Sequence, residues 1–118
     1  MKMIWAVVRP ESAQAVIGAL EQAGISAMTR MHVTGHGREM GIVSGSTRYT
    51  EIPKEMLLIV VPDNEVARAV TVIRNTARTG PKGSPDAGAI GDGKIFVTYV
   101  EDSYTIRTAE KIPGHVQA

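Results

Sequence analysis

Residues 56–65 read Met56-Leu57-Leu58-Ile59-Val60-Val61-Pro62-Asp63-Asn64-Glu65. An unbroken apolar run of this length suits a strand covered on at least one face, and the polar turn after it stops the strand and opens a helix. The same order stands near the start of the chain, where Met3-Ile4-Trp5-Ala6-Val7-Val8 gives way to Arg9-Pro10-Glu11-Ser12. After the first run, Ala13, Val16, Ile17 and Leu20 recur at helical spacing until Gly24. After the second, Val66, Ala69, Val70, Ile73 and Ala77 do so until Gly80. Residues 25–34 alternate Ile25, Ala27, Thr29, Met31 and Val33 against Ser26, Met28, Arg30, His32 and Thr34, which predicts a half-exposed strand. Residues 94–100 supply the matching last strand, and 104–107 are expected to add a short one. Two strand–helix–strand units joined by right-handed crossovers predict an α+β fold, the ferredoxin-like double βαβ sandwich. The two apolar strands are expected at its centre, with both helices on one face. Nothing in the alternation of 25–34 could cover the other face alone, so self-association is expected.

A chain of 118 residues fits one domain, 1–118, with a core that needs no staples. It has no cysteine, which excludes disulfides, thiolate metal sites and cysteine nucleophiles. Thirteen basic against twelve acidic residues give a net charge of +1, too little for a nucleic-acid or membrane field. One phenylalanine, one tryptophan and three tyrosines offer little stacking surface for single-stranded RNA. The longest apolar run is too short to span a bilayer, and Arg9 and Pro10 interrupt any signal-peptide pattern. No membrane insertion and a cytoplasmic location are the expectations.

Two connections are unusually long. Residues 35–53 form a link of about nineteen residues where four to six is ordinary. Its glycines at 35, 37, 41 and 45, with Arg38, Glu39, Arg48, Tyr49 and Glu51, favour a mobile arm that orders on a partner, against an inert hairpin extension. Residues 79–93 carry the Pro/Gly/Ser-rich stretch 81–89 and lead into Ile90-Gly91-Asp92-Gly93-Lys94-Ile95-Phe96-Val97. Glycines flanking an aspartate allow positive φ and converging N–H groups, and the lysine adds a mobile cation; together they suit phosphate. On these eight residues alone, a tight turn entering a strand serves equally well.

The chain resembles the PII nitrogen-regulatory signal-transduction proteins over nearly its whole length. The matching pieces are Met1-Lys2-Met3-Ile4 with Arg9-Pro10, Gly35-His36-Gly37-Arg38 with Gly41, and Pro53-Lys54. They continue with Ile59-Val60-Val61-Pro62-Asp63, Thr76-Ala77-Arg78-Thr79-Gly80, the octet 90–97 and Ile106-Arg107-Thr108. Resemblance implies a trimer with clefts between subunits, a T-loop at 37–53, a B-loop at 79–93 and a C-terminal loop at 107–118. It also implies ATP or ADP in each cleft, with Mg2+ and 2-oxoglutarate joining ATP, and a target protein gained or lost through the T-loop. On that basis Gly91, Asp92, Gly93 and Lys94 would cradle phosphates, with Arg38 and, from a neighbouring subunit, Arg107. Val7, Thr29, Gly35, Gly37 and Val60 match positions lining the nucleoside. Glu39, Gly41, Lys54 and Gly91 match the 2-oxoglutarate site, with Lys54 pairing a carboxylate and Glu39 holding magnesium. Read without the resemblance, Lys54 is an exposed strand-end lysine, and Val7, Thr29 and Val60 are ordinary strand packing.

Departures from the family pattern narrow the reading. Glu39 replaces a glutamine; a carboxylate binds magnesium as well but repels a dianion. Thr105 removes one of two arginines, Leu58 replaces a polar residue, and 81–89 is an insertion. A short T-loop makes Tyr49 an insecure match to the uridylylated tyrosine. The short T-loop, Pro53-Lys54-Glu55-Met56-Leu57-Leu58 and Tyr104-Thr105-Ile106-Arg107-Thr108 look like the nitrogenase-associated branch. That branch implies nitrogenase, or another nitrogen-metabolism protein, as target, and a homotrimer or a mixed assembly with a sister subunit. The leading expectation is a non-catalytic sensor. One alternative keeps the scaffold but senses adenylate energy state or bicarbonate without 2-oxoglutarate. Another is a small ferredoxin-like enzyme, for which His32, His36 and His115 are the candidates although they lack metal-ligand spacing.

Overall fold

The computed structural model describes residues 1–36, 42–44, 47–49, 51–81 and 87–114. Strand β1 (Lys2–Val8) runs into helix α1 (Pro10–Gln22), and β2 (Thr29–Gly35) follows. Two short strands, β3 (Ile42–Ser44) and β4 (Thr47–Tyr49), pair with each other before the long β5 (Ile52–Val61). A single 3-10 turn, Asp63–Glu65, feeds α2 (Val66–Ala77). The chain then returns as β6 (Gly93–Tyr99) and ends in the hairpin of β7 (Asp102–Tyr104) and β8 (Lys111–Pro113).

The main sheet has the order β2-β5-β1-β6, antiparallel throughout, which is the ferredoxin-like sandwich. The two apolar runs hold its centre, as their composition requires. In-register pairing sends Ile4, Ala6 and Val8 of β1 and Leu57, Ile59 and Val61 of β5 to one face. There they meet Ala13, Val16 and Leu20 of α1 and Ala69, Ile73 and Ala77 of α2 in a single core. Arg9 holds the N-cap position of α1 in extended conformation, and Pro10 takes the first helical site, where its missing N–H costs nothing. Gly24, at φ +85°, reverses the chain after α1.

Among the described residues the opposite face carries no helix. Register places Met3, Trp5 and Val7 of β1 there beside Met56, Leu58 and Val60 of β5, Thr29, Met31 and Val33 of β2 and Phe96 of β6. Met31, Val60 and Phe96 are exposed on it. Trp5 Nε1 donates to Thr98 Oγ1 across it at 2.9 Å.

Several boundaries differ from the sequence reading. Residues 25–28 are not strand: Ile25 turns into the core, and pairing begins at Thr29. Residues 94–100 become 93–99, and Val100 is buried beyond the strand's end. The short strand expected at 104–107 is instead 102–104, paired with 111–113, while 105–107 lie in the turn between. The expected T-loop span 37–53 includes the β3–β4 ladder and the first residues of β5, since Ile52 and Pro53 pair with Gly35 and Thr34. Similarly, Gly93 of the expected B-loop opens β6, and 111–113 of the expected C-terminal loop are strand. Among the described residues no helix is long and apolar enough to cross a membrane.

Candidate functional site

A cleft of about 790 Å³ lies at the end of the sheet where β1 stops and β6 begins. Val7, Gly35, Ile52, Lys54, Lys94 and Phe96 line it from the strands, and residues 88–93 close it from the connecting loop. Those six strand residues all project to the bare sheet face by register. The cleft and the bare face are therefore continuous.

Glycine is required where the loop joins the sheet. Gly91 and Gly93 have φ of +100° and +128°, and a Cβ on Gly93 would sit 1.9 Å from the carbonyl oxygen of Val7. Loop and strand thus touch backbone to backbone, and Lys94 enters the cleft at the next residue.

Asp92 organises this turn. Its Oδ2 accepts the backbone N–H of Thr79 at 3.1 Å and of Ala89 at 2.8 Å, while Oδ1 accepts Arg9 Nε at 3.2 Å. Burial works against the ionised carboxyl, but the amides of Ala89 and Thr79 and the Arg9 guanidinium outweigh it and hold its pKa below the ordinary value. Arg9 also donates through a second nitrogen to the carbonyl oxygen of Ile90 at 3.0 Å. Lys54 Nζ donates to the carbonyl of the next residue, Gly91, at 2.6 Å. Gly88 N–H bonds Thr79 O at 2.7 Å, and Arg78 donates to Ala87 O. These last contacts bring the two ends of the 81–89 insertion together, so the stretch departs and returns at one neck beside Asp92.

Of the residues singled out by sequence, the cleft gathers Val7, Gly35, Lys54, Gly91, Asp92, Gly93 and Lys94. Thr29 and Val60 lie further along the bare face, paired with Leu58 and Met3 respectively. Arg107 sits in the β7–β8 turn and does not line the cleft of its own chain. Gly37, Arg38, Glu39, Gly41 and His115 fall outside the described residues. Sequence reasoning missed Arg9, Ile52 and Phe96, and it read His36 only as an enzyme candidate. Phe96 was recoverable, since it stands two residues beyond Lys94 on a strand. Arg9 left no spacing signal, because its partners are more than eighty residues away.

The chemistry available is that of an anion receptor with an apolar wall. Lys54 and Lys94 supply the cations, the glycine turn brings backbone close, and Val7, Ile52 and Phe96 offer apolar contact. No group of three or more His, Asp or Glu residues that could hold a metal occurs among the described residues. His32 faces Glu55, not the cleft; its Nδ1 contacts Glu55 Oε1, and Arg30 Nε approaches Oε2 at 3.3 Å.

Residues 1–110 match the family described as Nitrogen regulatory protein P-II. A "Nitrogen fixation nifHD region GlnB-like protein 1" of Methanothermobacter marburgensis is 46% identical over 111 residues, covering 94% of this chain and 98% of that protein. Its counterpart in Methanococcus maripaludis is 44% identical over 108 residues, covering 92% and 95%. A "Nitrogen fixation nifHD1 region GlnB-like protein 1" of Methanosarcina barkeri is 44% identical over 114 residues, covering 97% and 99%. The chain belongs to the nitrogen regulatory P-II family, in the branch of the nifHD region GlnB-like proteins.

Proposed function

We propose that three copies of this chain associate through the bare sheet face and bind an adenine nucleotide in each cleft, reporting its state to a nitrogen-metabolism protein. The observation that carries this is the continuity of cleft and bare face. Val7, Lys54, Lys94 and Phe96 belong to both, so a copy seated on the sheet would wall the cleft. Thr29, Val60 and Arg107, which do not line the cleft of their own chain, would then act from a neighbour or at the seam.

The residues present fit a nucleoside di- or triphosphate. Lys94 and the turn at Gly91 and Gly93 would receive the phosphates, joined by Arg38 and Arg107. Val7, Gly35, Gly37, Ile52 and Phe96 would contact the nucleoside. With no three-residue metal group among the described residues, Mg2+ would be held chiefly by the phosphates, with Glu39 as an added ligand. A small dicarboxylate such as 2-oxoglutarate would use Lys54, which already reaches to Gly91 O, together with Gly41. Residues 37–53, including the β3–β4 ladder, would form the output surface. The names of two relatives place them in a nitrogen fixation nifHD region, which supports nitrogenase, or another nitrogen-metabolism protein, as the target proposed here. The assembly would be a homotrimer or a mixed assembly with a sister subunit, in the cytoplasm.

Calorimetric titration of 2-oxoglutarate into protein saturated with Mg-ATP, with an ADP arm, tests the proposal. Heat with Mg-ATP alone is the expected result. Nucleotide binding without 2-oxoglutarate heat would move the reading to an adenylate or bicarbonate sensor and make Glu39→Gln the next variant. No nucleotide binding would overturn it.

A further inference from the structure

Arg9 belongs to no phosphate-binding motif in the sequence, yet it makes the long-range contacts that shape the turn at 90–93. It leaves the end of β1, where Val8 pairs with Gly93, and its position as N-cap of α1 is non-helical. The side chain crosses to the loop. One nitrogen takes Asp92 Oδ1 at 3.2 Å and another takes Ile90 O at 3.0 Å, a fork spanning the turn. Lysine cannot reproduce that fork from one ammonium.

Asp92 needs such a partner for two reasons. Its second oxygen collects the amides of Thr79 and Ala89, one on each side of the insertion's neck. The carboxylate also lies in the wall of a cleft suited to anions, where an uncompensated negative charge would repel them. Among the described residues Arg9 is the cation paired with it; Arg74, Arg78 and Lys94 line the smaller, helix-side cavity with it, and Arg78 donates to Ala87 O.

We propose that Arg9 is a positioning residue for phosphate: by bridging Asp92 and Ile90 it fixes the turn 90–93 and keeps the inserted stretch 81–89 from distorting it. This rests on the nucleotide-binding reading above. Arg9 does not itself line the cleft; it acts through Asp92 and the turn.

The test combines Mg-ATP calorimetry with amide hydrogen exchange on Arg9→Ala, Arg9→Lys and Arg9→Ala/Asp92→Asn, each checked by thermal melting. Arg9→Ala should weaken Mg-ATP binding about tenfold or more, the scale of a lost charged hydrogen bond. Exchange at the Thr79 and Ala89 amides should quicken by a similar factor without nucleotide. Arg9→Lys should recover part of the affinity, since charge returns without the fork. Adding Asp92→Asn to Arg9→Ala should bring no further loss, because the unpaired charge is gone; a merely structural role predicts additive damage. If the wild type binds nucleotide and Arg9→Ala binds it equally, the assignment of Arg9 alone is overturned. A wild type that binds none removes the nucleotide reading and the positioning role together. Should Arg9→Ala fail to fold, Arg9→Lys decides, with unchanged affinity and exchange counting against the proposal.

Discussion

Leu57 and Leu58 are neighbours on β5 with the same side chain, and the pleat sends them to opposite faces of one sheet. Leu57 is wholly buried beneath the helices with Ile4, Leu20 and Ile73. Leu58, opposite Trp5 on β1 and Thr29 on β2, is only partly covered. The helix face is complete within one chain, whereas the bare face leaves Met31, Val60 and Phe96 exposed, and in the proposed assembly a second copy would cover them. Stability can be written into one side and assembly into the other because strand side chains alternate. The cleft opens on the bare side, so in the proposed assembly ligand and partner would be coupled by geometry.

The largest expected effect tests that division. Leu57→Ala should cost about 2–5 kcal/mol of folding stability in chemical denaturation, the usual range for a leucine truncated in a packed core. Leu58→Glu should instead leave a folded chain that elutes near 12.6 kDa, with the parent running as a multiple of that mass. A monomeric parent, or a Leu58→Glu chain that unfolds like the core variant, would break the comparison.

The next effect concerns ligand rather than fold. Lys94→Ala should lower Mg-ATP affinity by about one to two orders of magnitude, matching about 1.5–3 kcal/mol for a hydrogen bond to a charged group. Its melting temperature without nucleotide should stay put, since Lys94 is exposed and lies outside the core. A fall in that temperature would mean the lysine supports the turn instead.

The sandwich was legible because its two central strands are continuous apolar runs, each followed by a polar turn and a helical stripe. The strand at 25–34 was overextended because Ile25 and Ala27 continue the alternation by coincidence. Ile25 serves the core from a loop, which period alone cannot distinguish from a strand. The hairpin of 102–104 and 111–113 was read only as a short strand at 104–107, because the sequence around its turn, including Ala109 at φ +60°, carries no glycine signal there. At the site, Gly91, Gly93, Lys94 and Lys54 were readable from local sequence and family resemblance. Arg9 was not, since its role depends on β1 ending beside β6, a fact of topology. Asp92 was readable as a member of the turn but not as its organiser.

The smallest expected effect lies one step along the same strand, where Lys54 faces the cleft and Glu55 the helix side. Glu55 is buried, with Arg30 and His32 of β2 against it and Gln14 of α1 bonded to Arg30 at 3.4 Å. Desolvation alone would raise its pKa, but the hydrogen bonds from Arg30 and His32 and their charge outweigh that and lower it from 4.5. The sign follows from linkage. Above about pH 4.5 both folded and unfolded chains carry the carboxylate, and the folded state's preference for it is fully expressed. As pH falls through that value the unfolded chain takes up the proton first, and the contribution drains away until the folded carboxyl protonates too. Glu55→Gln should therefore be less stable than the parent near neutrality, with the gap narrowing as the pH is lowered below 4.5. Urea midpoints measured for both proteins at pH 7 and across the acid range would show this convergence. Parallel curves would mean that Glu55 matters through its shape rather than its charge, and that the β2–β5 edge gains nothing from the ion cluster.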